Sequence, residues 1–562
     1  MEQTTPQSDV FSVGICMAGA VSAGAYTAGV MDYLLEALQE WEKRRGQPGV
    51  PSHRVEIPVI GGASAGGMTG IIVASSLNSP ITPIDKPSAD LLEEHPENKF
   101  YNAWVDLTDA DMFSTMLDTS DIEKTGTVLS GLNSDFIDQV ANKMVKAIKS
   151  DWQPLPRFIN PNLKVFTTLS NLGGFNYSAD FYAASPTNRK YHMMVHNDYA
   201  CFELTEKTDL VAPNNGWIPL NFKDDIHLDI ARDAAMATGA FPVGLKSRLL
   251  NRDAGFINSS QFLTEIFKNT PLTPSGNYTS LNVDGGLINN EPFDKVREVL
   301  ASFTGESQQA SDDHNGFNST ILMIEPFPSK ERGPIDQSQS ILNVIGLTLS
   351  SMLSQMRSKP TDLANALNDN LSGQYLISPA RLITDANGIT EEIVGELAIA
   401  CGALNGFSGF INKEFRVHDY FLGRYNCKIF LRDYFTIPKS AIQENRIFRN
   451  GYAETNIDDF KSTKDDERYQ IIPIFKDATN YEFPSFKFSS GSNWPVLKEE
   501  DIDKFQPAIK KRAQALLMNA VKLGGMNKAL LWIGTKVLLS GSMTNAALTK
   551  IKSDLKLWKL LD

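Results

Sequence analysis

The stretch that most constrains the fold of this chain is residues 55–73, VEIPVIGGASAGGMTGIIV. An apolar run comes first, a G-x-S-x-G pattern follows, and a run of small residues compatible with a helix comes last. This order predicts a buried strand that turns sharply into a helix and leaves the hydroxyl of Ser64 exposed. Because Pro58 cannot donate a hydrogen bond to a neighbouring strand, we expect the strand to begin near Val59.

Ser64 is the candidate nucleophile of this turn. Gly62 and Gly66 flank it and permit the close approach of a neighbouring helix and of a substrate. The helix that follows presents unpaired N–H groups and a positive dipole end, which favour negative charge near Ser64. The alternative is that Ser64 only caps this helix, because G-x-S-x-G also occurs by chance.

A second strand, loop and helix precede this turn. Residues 10–17 have the short apolar character of a buried strand, 18–24 form a loop of small residues, and 25–45 carry apolar residues at helical spacing. Such a loop presents backbone N–H groups to an anion, and in a serine hydrolase it supplies an oxyanion hole. The loop at 18–24 is therefore the candidate for that role.

Four ordered motifs resemble the patatin-like phospholipase family, and the resemblance covers about residues 11–328. They are the small-residue loop with its helix, the serine turn, ARDAAMATGAFPVG at 231–244, and VDGG at 283–286, which is followed by NNEP at 289–292. The resemblance implies an α/β fold, a three-layer α/β/α sandwich with a mainly parallel central sheet. It also implies a serine acyl hydrolase that cleaves carboxylic esters of lipids, of phospholipase A or lysophospholipase type, through an acyl-enzyme.

The same resemblance implies roles for individual residues. It assigns a Ser–Asp dyad to Ser64 as nucleophile and Asp284 as base, without a cofactor or a metal. The motif glycines that it implies are Gly62, Gly66, Gly285 and Gly286. The oxyanion hole that it implies consists of the backbone N–H groups of Gly19, Ala20, Val21 and Ala65. The loop departs from the family pattern, because Ala20 and Val21 occupy glycine positions and Ala23 replaces a basic residue.

Two other functions stay open. A catalytically weak or inactive lipid-binding scaffold that kept the fold is supported by the altered loop. A Ser-His-Asp esterase is supported by the order Ser64, Asp284, His418, which matches that of α/β-hydrolases, although the chain has no His-Gly-Gly-Gly segment. Metal chemistry has little support, because His192 and His196 lie in a strand-like segment and the chain has no H-E-x-x-H motif.

The chain divides into four predicted parts. They are a tail at 1–9, a catalytic domain at 10–330 with an inserted cover at 78–160, a mixed and mainly helical extension at 331–504, and a basic helical segment at 505–562. Further strands are predicted at 163–169, 191–195, 201–204 and 319–324. Further helices are predicted at 135–149 and 225–241.

Charge limits the kinds of partner. The 562-residue chain has a net charge of −13, which argues against nucleic acid as the main partner. Residues 505–562 contain ten Lys/Arg and two Asp, a local charge of +8. We expect this segment either to contact an anionic membrane or to form a packed helical unit with solvated lysines. The predicted partner is a lipid or membrane-interface substrate, and the oligomeric state stays open.

Cysteine content and the apolar segments predict the compartment. Four widely separated cysteines predict reduced, mostly buried thiols in an intracellular protein; they are Cys16, Cys201, Cys401 and Cys427. The start of the chain has no signal-peptide pattern, and the apolar stretch 529–539 is too short to span a bilayer. We therefore expect a cytoplasmic protein, either free or attached peripherally to a membrane.

Overall fold

A computed structural model of the chain describes residues 10–328, 374–520 and 542–562, with short interior gaps. The gaps are 81, 89–90, 107–111, 181–189, 208–214, 269–270, 273–275, 306–313, 385–386, 476–482, 485, 489 and 491–492. The sequence also predicts helices at 337–356 and 362–371. Apart from residues 347 and 351, these two segments lie outside the described residues, as does the apolar stretch 529–539.

A mixed, mostly parallel sheet of nine strands forms the centre of the molecule. Its strands are β1 (Val10–Met17), β2 (Arg54–Gly62), β3 (Ile159–Asp180), β4 (Lys190–Leu204), β5 (Ile218–Leu220), β6 (Arg248–Asp253), β7 (Asn277–Asp284), β8 (Ser319–Ile324) and β9 (Gln374–Ile377). Their order is β5-β4-β3-β2-β1-β8-β9, and β7 pairs with both β3 and β6. Pairs β3–β4, β3–β7 and β6–β7 are antiparallel, and the others are parallel. The predicted α/β class with a mainly parallel sheet is confirmed.

Helices cover both faces of this sheet. Those that precede β9 are α1 (Gly24–Arg44), α2 (Ser64–Ser76), α3 (Leu91–Glu94), α4 (Lys99–Trp104), α5 (Met112–Leu117), α6 (Ser120–Thr125), α7 (Asp135–Met144), α8 (Leu228–Thr238), α9 (Ala254–Asn258), α10 (Thr264–Phe267) and α11 (Phe293–Thr304). Phe11 and Ile15 of β1 belong to one hydrophobic cluster together with residues of α1 and α2, whereas Cys16 belongs to a second cluster that contains Val296 of α11. Alternate side chains of one strand therefore serve two cores, as the central layer of a three-layer fold requires.

One predicted strand start is wrong. The strand predicted to begin near Val59 is β2, which already begins at Arg54. Pro58 lies inside it, at a point where the register with both neighbouring strands shifts. At such an irregularity the missing N–H of proline breaks no ladder hydrogen bond, so the strand continues through it.

The C-terminal part of the chain packs on α1 and adds to the sheet. It contains β10 (Ala380–Thr384), β11 (Thr390–Val394), β12 (Thr436–Pro438), β13 (Arg468–Gln470), α12 (Lys413–Asp433), α13 (Lys439–Glu444), α14 (Arg446–Gly451), α15 (Glu499–Asp503), α16 (Gln506–Ala520) and α17 (Ser542–Leu557). A methyl group on Gly29 of α1 would lie 1.9 Å from the Tyr420 carbonyl oxygen, and one on Gly423 would lie 2.2 Å from that of Tyr26. Glycine on both helices thus lets α1 and α12 approach backbone to backbone. Strand β9 joins the central sheet from beyond the boundary predicted at 330.

Two further predictions concern burial and membrane spans. All four cysteines are buried and none forms a disulfide, as predicted. Across the helices that the structure describes, none is both long enough and apolar enough to cross a bilayer.

His53 lies where β2 meets the C-terminal part, and it is 2% exposed. Its ring packs edge-on against Trp41 and Phe448, at centroid distances of 4.8 and 5.4 Å. Its Nε2 lies 2.9 Å from the Ile471 carbonyl oxygen, which fixes that nitrogen as the donor. Burial lowers the pKa of His53 from 6.5 to about 4.

We expect His53 to make stability depend on pH below neutrality. Between about pH 6.5 and pH 4 the unfolded chain protonates His53 and the folded chain does not, so the free energy of unfolding falls as pH falls. From pH 6.5 to pH 5 the loss is about 1.5 kcal/mol. Urea unfolding should show this loss in the wild type and a smaller one in His53→Gln, which keeps a donor for Ile471. Equal losses in the two proteins would contradict this assignment.

Candidate active site

Ser64 lies where β2 turns into α2, with a backbone φ of +49°. Serine seldom adopts this left-handed conformation, so the surrounding structure must hold it. The Ser64 N–H donates to Thr238 Oγ1 at 2.9 Å, and a methyl group on Gly66 would lie 2.3 Å from the Met17 carbonyl oxygen. Gly62 is equally constrained, since its methyl group would lie 2.5 Å from the backbone of Gly66. The turn is therefore the sharp strand-to-helix junction that the sequence predicts.

Asp284 ends β7 and faces Ser64 directly. The Ser64 hydroxyl donates to Asp284 Oδ2 at 2.6 Å, and it does not cap α2. The other carboxylate oxygen, Oδ1, accepts the Gly286 N–H at 2.7 Å. The Asp284 backbone is fixed on both sides, because its N–H donates to Ala240 O at 2.9 Å and its carbonyl accepts the Ser170 hydroxyl at 2.8 Å. Both Ser64 and Asp284 are buried.

The two glycines after Asp284 permit this turn. A methyl group on Gly285 would lie 2.0 Å from the Thr168 carbonyl oxygen. One on Gly286 would lie 2.6 Å from Asn290 Oδ1 and 3.0 Å from Asp284 Oδ1. Side chains at these positions would displace the carboxylate from Ser64.

The loop at 18–24 runs past Ser64. A methyl group on Gly19 would lie 2.9 Å from Ser64 Cβ, so the Gly19 backbone is next to the serine. Within the part of the chain that the structure describes, the N–H groups of Gly19, Ala20 and Val21 donate to no acceptor. The N–H of Ala65 lies in the first turn of α2, where intrahelical acceptors are lacking. These four N–H groups are therefore candidate donors, and those of Gly19 and Ala65 belong to residues next to Ser64.

A family model for patatin-like phospholipases matches residues 15–297, half of the chain. The chain belongs to the patatin-like phospholipase family. Membership of this family implies a lipid acyl hydrolase. An uncharacterized protein, y4iI, of Sinorhizobium fredii (strain NBRC 101917 / NGR234) is 29% identical over 514 residues, which cover 84% of this chain and 71% of that protein. VipD from Legionella pneumophila is similar at 10% identity, covering 99% of this chain and 92% of the other, with a TM-score of 0.19. The family assignment does not depend on that structural similarity.

Ser64 and Asp284 line an apolar cavity in this member of the patatin-like family. Its empty space is about 960 Å³, a volume that includes the open solvent at its mouth. Apart from Ser64, Asp284 and Arg232, the side chains that line it are apolar. Among the largest are Trp104, Phe136, Met144, Met236, Phe241 and Phe410.

The wall of the cavity comes from three parts of the chain. Trp104 of α4 and Phe136 of α7, which lie within the segment predicted as an insertion at 78–160, form part of the cavity wall. Val21 and Ala65 line the cavity as well, whereas Gly19 and Ala20 do not. Phe410 comes from beyond the predicted catalytic domain, and no local pattern in the sequence marks it.

Two residues, one beside the Ser64 turn and one in the cavity wall, were not predicted from the sequence. Thr238, whose hydroxyl oxygen accepts a hydrogen bond from the Ser64 N–H, lies inside the ATGAFP motif. That motif is the only feature of the sequence that pointed to Thr238. Phe410 had no such feature, because its contact with the cavity joins segments that are hundreds of residues apart.

His418 is not brought to this site. It is fully buried in α12, and its Nδ1 lies 2.8 Å from Asp419 Oδ1. Its ring packs edge-on against Trp494 at 4.7 Å, and burial lowers its pKa. It is not among the residues that line the cavity. Separately, the described residues contain no group of three or more His, Cys, Asp or Glu side chains placed to hold a metal ion.

Proposed function

We propose that this protein is a serine hydrolase that cleaves carboxylic esters of lipids, of phospholipase A or lysophospholipase type. The observation that carries the proposal is the 2.6 Å hydrogen bond from the Ser64 hydroxyl to Asp284 Oδ2, made at the end of an apolar cavity. A serine hydroxyl needs an adjacent base to become a nucleophile, and Asp284 is in place to accept its proton.

The reaction that this arrangement supports has two halves. Asp284 takes the proton from Ser64 as Oγ attacks the ester carbonyl, and the N–H groups of Gly19, Ala20, Val21 and Ala65 are the candidate donors to the oxyanion. The alkoxide then leaves with the proton from Asp284, and the acyl group stays on Ser64. In the second half, water attacks the acyl carbonyl of the acyl-enzyme and gives its proton to Asp284. Asp284 returns the proton to Ser64 Oγ, and the fatty acid is released.

The shape of the cavity supports a long apolar acyl group. Met68, Ile71 and Ile72 follow Ser64 along α2 and all line the cavity. Since a helix rises 1.5 Å per residue, Ile72 lies about 12 Å along the axis from Ser64. An acyl chain seated here would extend along α2 and bury its methylenes away from water, at about 0.8 kcal/mol each.

Membrane contact through 505–562 stays a prediction. In the described residues, Lys552 donates to Glu499 at 2.9 Å and to Asp503 at 3.0 Å, and Lys556 donates to Glu499 at 2.5 Å. These lysines are paired with acidic side chains of a neighbouring helix, which favours the alternative of a packed helical unit.

Labelling with a fluorophosphonate tests the proposed function. We expect the full-length wild type to be labelled and to hydrolyse 4-nitrophenyl esters and phospholipids, and Ser64→Ala to lose both properties. Ser76→Ala is the matched control, because Ser76 lies on the same helix and its hydroxyl only donates to Ile72 O. A folded wild type that is neither labelled nor active would favour the lipid-binding scaffold.

A further inference from the structure

The loop beside Ser64 has a conformation that its sequence does not favour. Val21 has a backbone φ of +47°, and a β-branched residue in the left-handed region is a true outlier. Glycine would adopt this conformation without cost. Since Val21 lines the cavity and its N–H is a candidate oxyanion donor, something outside the loop must hold it in place.

Residues 406–410, here named the buttress, contact this loop from the C-terminal half. The Ser22 hydroxyl, which is 1% exposed, donates to the Gly406 carbonyl oxygen. The same hydroxyl accepts the Gly409 N–H at 3.1 Å. One buried side chain of the loop therefore binds two backbone groups of the buttress, which is 384 to 387 residues away in sequence.

The buttress fits the loop without space for a larger residue. Gly406 has a φ of +93°, and a methyl group on it would lie 3.0 Å from Val21 Cβ. A methyl group on Gly409 would lie 2.5 Å from Ser22 Oγ and 2.6 Å from Cys401 Sγ. Glycine at both positions thus permits the contact, because any side chain there would push the buttress away from its neighbours.

The buttress is in turn fixed to α12. Arg416 of this helix donates to the Gly409 carbonyl oxygen and, at 2.9 Å, to that of Val105 in the insertion. The Ser408 hydroxyl donates at 2.8 Å to the carbonyl oxygen of Ala400, whose N–H donates at 2.8 Å to Asp419 Oδ1. The buttress is therefore held in place by α12, the helix that packs backbone to backbone against α1.

We propose that the buttress positions the oxyanion loop, compensating for the absence of glycine at Val21. In this assignment, which rests on the proposed function, Ser22 and Gly409 are positioning residues that act through the backbone of Ala20 and Val21. The C-terminal half is then part of the catalytic apparatus, although residues 406–410 lie outside the family match at 15–297.

Hydrolysis of a 4-nitrophenyl ester by full-length variants tests the assignment. We expect Ser22→Ala and Gly409→Ala to lower kcat about tenfold or more with little change in KM, since oxyanion donors act on the transition state. In a Val21→Gly background, Ser22→Ala should cost less than threefold, because glycine needs no support at this φ. Equal losses in the two backgrounds, or unchanged kcat in folded Ser22→Ala, would overturn the proposal.

Gly451→Ala is the matched control for general destabilisation. Its methyl group would lie 2.5 Å from His53, a clash as close as that of Gly409→Ala but directed at His53 instead of the loop. It should lower the melting temperature and leave kcat at the assay temperature unchanged. An equal loss of kcat in Gly451→Ala would show that packing in general, and not the buttress, controls the rate.

The rate of amide hydrogen exchange in the loop tests the buttress independently of any ester hydrolysis. The Ala23 N–H donates to Ala20 O at 2.9 Å, and the Gly24 N–H donates to carbonyl oxygens of the same turn. Ser22→Ala should speed exchange of these two amides at least tenfold and leave the rest of α1 unchanged. If the wild type proves inactive while exchange responds, the proposed function fails and the buttress stands. Unchanged exchange overturns the buttress whatever the activity.

Discussion

Replacing Asp284 with asparagine is expected to lower kcat for ester hydrolysis by about 10²- to 10⁴-fold, the range for loss of a general base. The introduced asparagine would have nearly the same shape as the aspartate, and its amide oxygen could still accept the Gly286 N–H. That orientation directs the amide NH₂ at Ser64, where a donor cannot take the proton that the carboxylate accepts at 2.6 Å. Steady-state kinetics on a 4-nitrophenyl ester would measure the loss.

The control for this substitution is His418→Asn. Asparagine keeps a hydrogen-bonding group beside Asp419, and His418 contacts neither Ser64 nor the cavity. We therefore expect kcat to stay within about threefold of the wild type. A loss as large as that of Asp284→Asn would identify a Ser-His-Asp esterase and remove the dyad. Thermal unfolding of both variants would show whether either loss comes from misfolding.

The parts of the fold that the sequence predicted well are those that local patterns encode. The strand predicted at 10–17 is β1, the strand at 319–324 is β8, and the helix at 25–45 is α1 shifted by one residue. Short buried strands of a mostly parallel sheet have continuous apolar runs, so their bounds are visible in sequence. The pairing of Ser64 with Asp284 was implied by the resemblance to the patatin-like family, whose motifs occur in this order, and the structure places the two side chains 2.6 Å apart.

Longer strands were predicted in pieces. The strand at 163–169 is the middle of β3 (Ile159–Asp180), and those at 191–195 and 201–204 are one strand, β4 (Lys190–Leu204). These two strands pair with a register shift between Ser170 and Phe175, beyond which most side chains of β4 are exposed. Apolar periodicity does not reveal such a segment, because its side chains are not buried and only hydrogen bonds to the partner strand make it a strand.

The helices predicted around the site were too long. The helix at 225–241 is α8 (Leu228–Thr238), which ends where Gly239 begins the turn to Ala240. The helix at 135–149 is α7 (Asp135–Met144) followed by a separate short turn. Contacts between sequence-distant segments were inaccessible to local patterns, above all those of the buttress with the loop at 18–24. Such contacts are specified by shape and hydrogen bonding at the interface, which no single segment reveals.

Arg512, a basic residue of the segment 505–562, is buried instead of solvated. It contributes to the local charge of +8 of residues 505–562, yet its side chain is 2% exposed in α16. Its guanidinium donates to both carboxylate oxygens of Asp121 and to the carbonyl oxygens of Asp118, Ser130 and Gly131, the last three at 2.6, 3.0 and 2.9 Å. One side chain thus joins α16 to the insertion that covers the cavity.

The segment that Arg512 holds is itself hydrogen-bonded to the turn after α8, which contributes to the cavity wall. The Gly131 N–H donates to Val243 O at 2.6 Å, and the Leu132 N–H donates to Gly244 O at 3.0 Å. Those acceptors belong to the turn that carries Phe241 and Leu245 into the cavity wall. Loss of the guanidinium would therefore loosen both α16 and this part of the cavity wall.

Replacing Arg512 with methionine is expected to lower the free energy of unfolding by about 3–5 kcal/mol, the cost of breaking a buried ion pair by removing one partner. Methionine fills similar space but leaves Asp121 and three carbonyl oxygens without their donor. Urea unfolding monitored by tryptophan fluorescence would measure the loss. Arg512→Lys should lose less, because it keeps the charge but cannot form the forked contacts.

The double variant Asp121→Leu/Arg512→Met distinguishes an unpaired charge from lost packing. If the cost of Arg512→Met comes mainly from the stranded Asp121 carboxylate, removing that carboxylate should recover part of the stability, because a leucine needs no donor. If it comes from the three carbonyl oxygens, the double variant should be no more stable than Arg512→Met. If Arg512→Met is as stable as the wild type, the guanidinium does not hold α16 to the insertion. The basic segment 505–562 would then be free to contact a membrane.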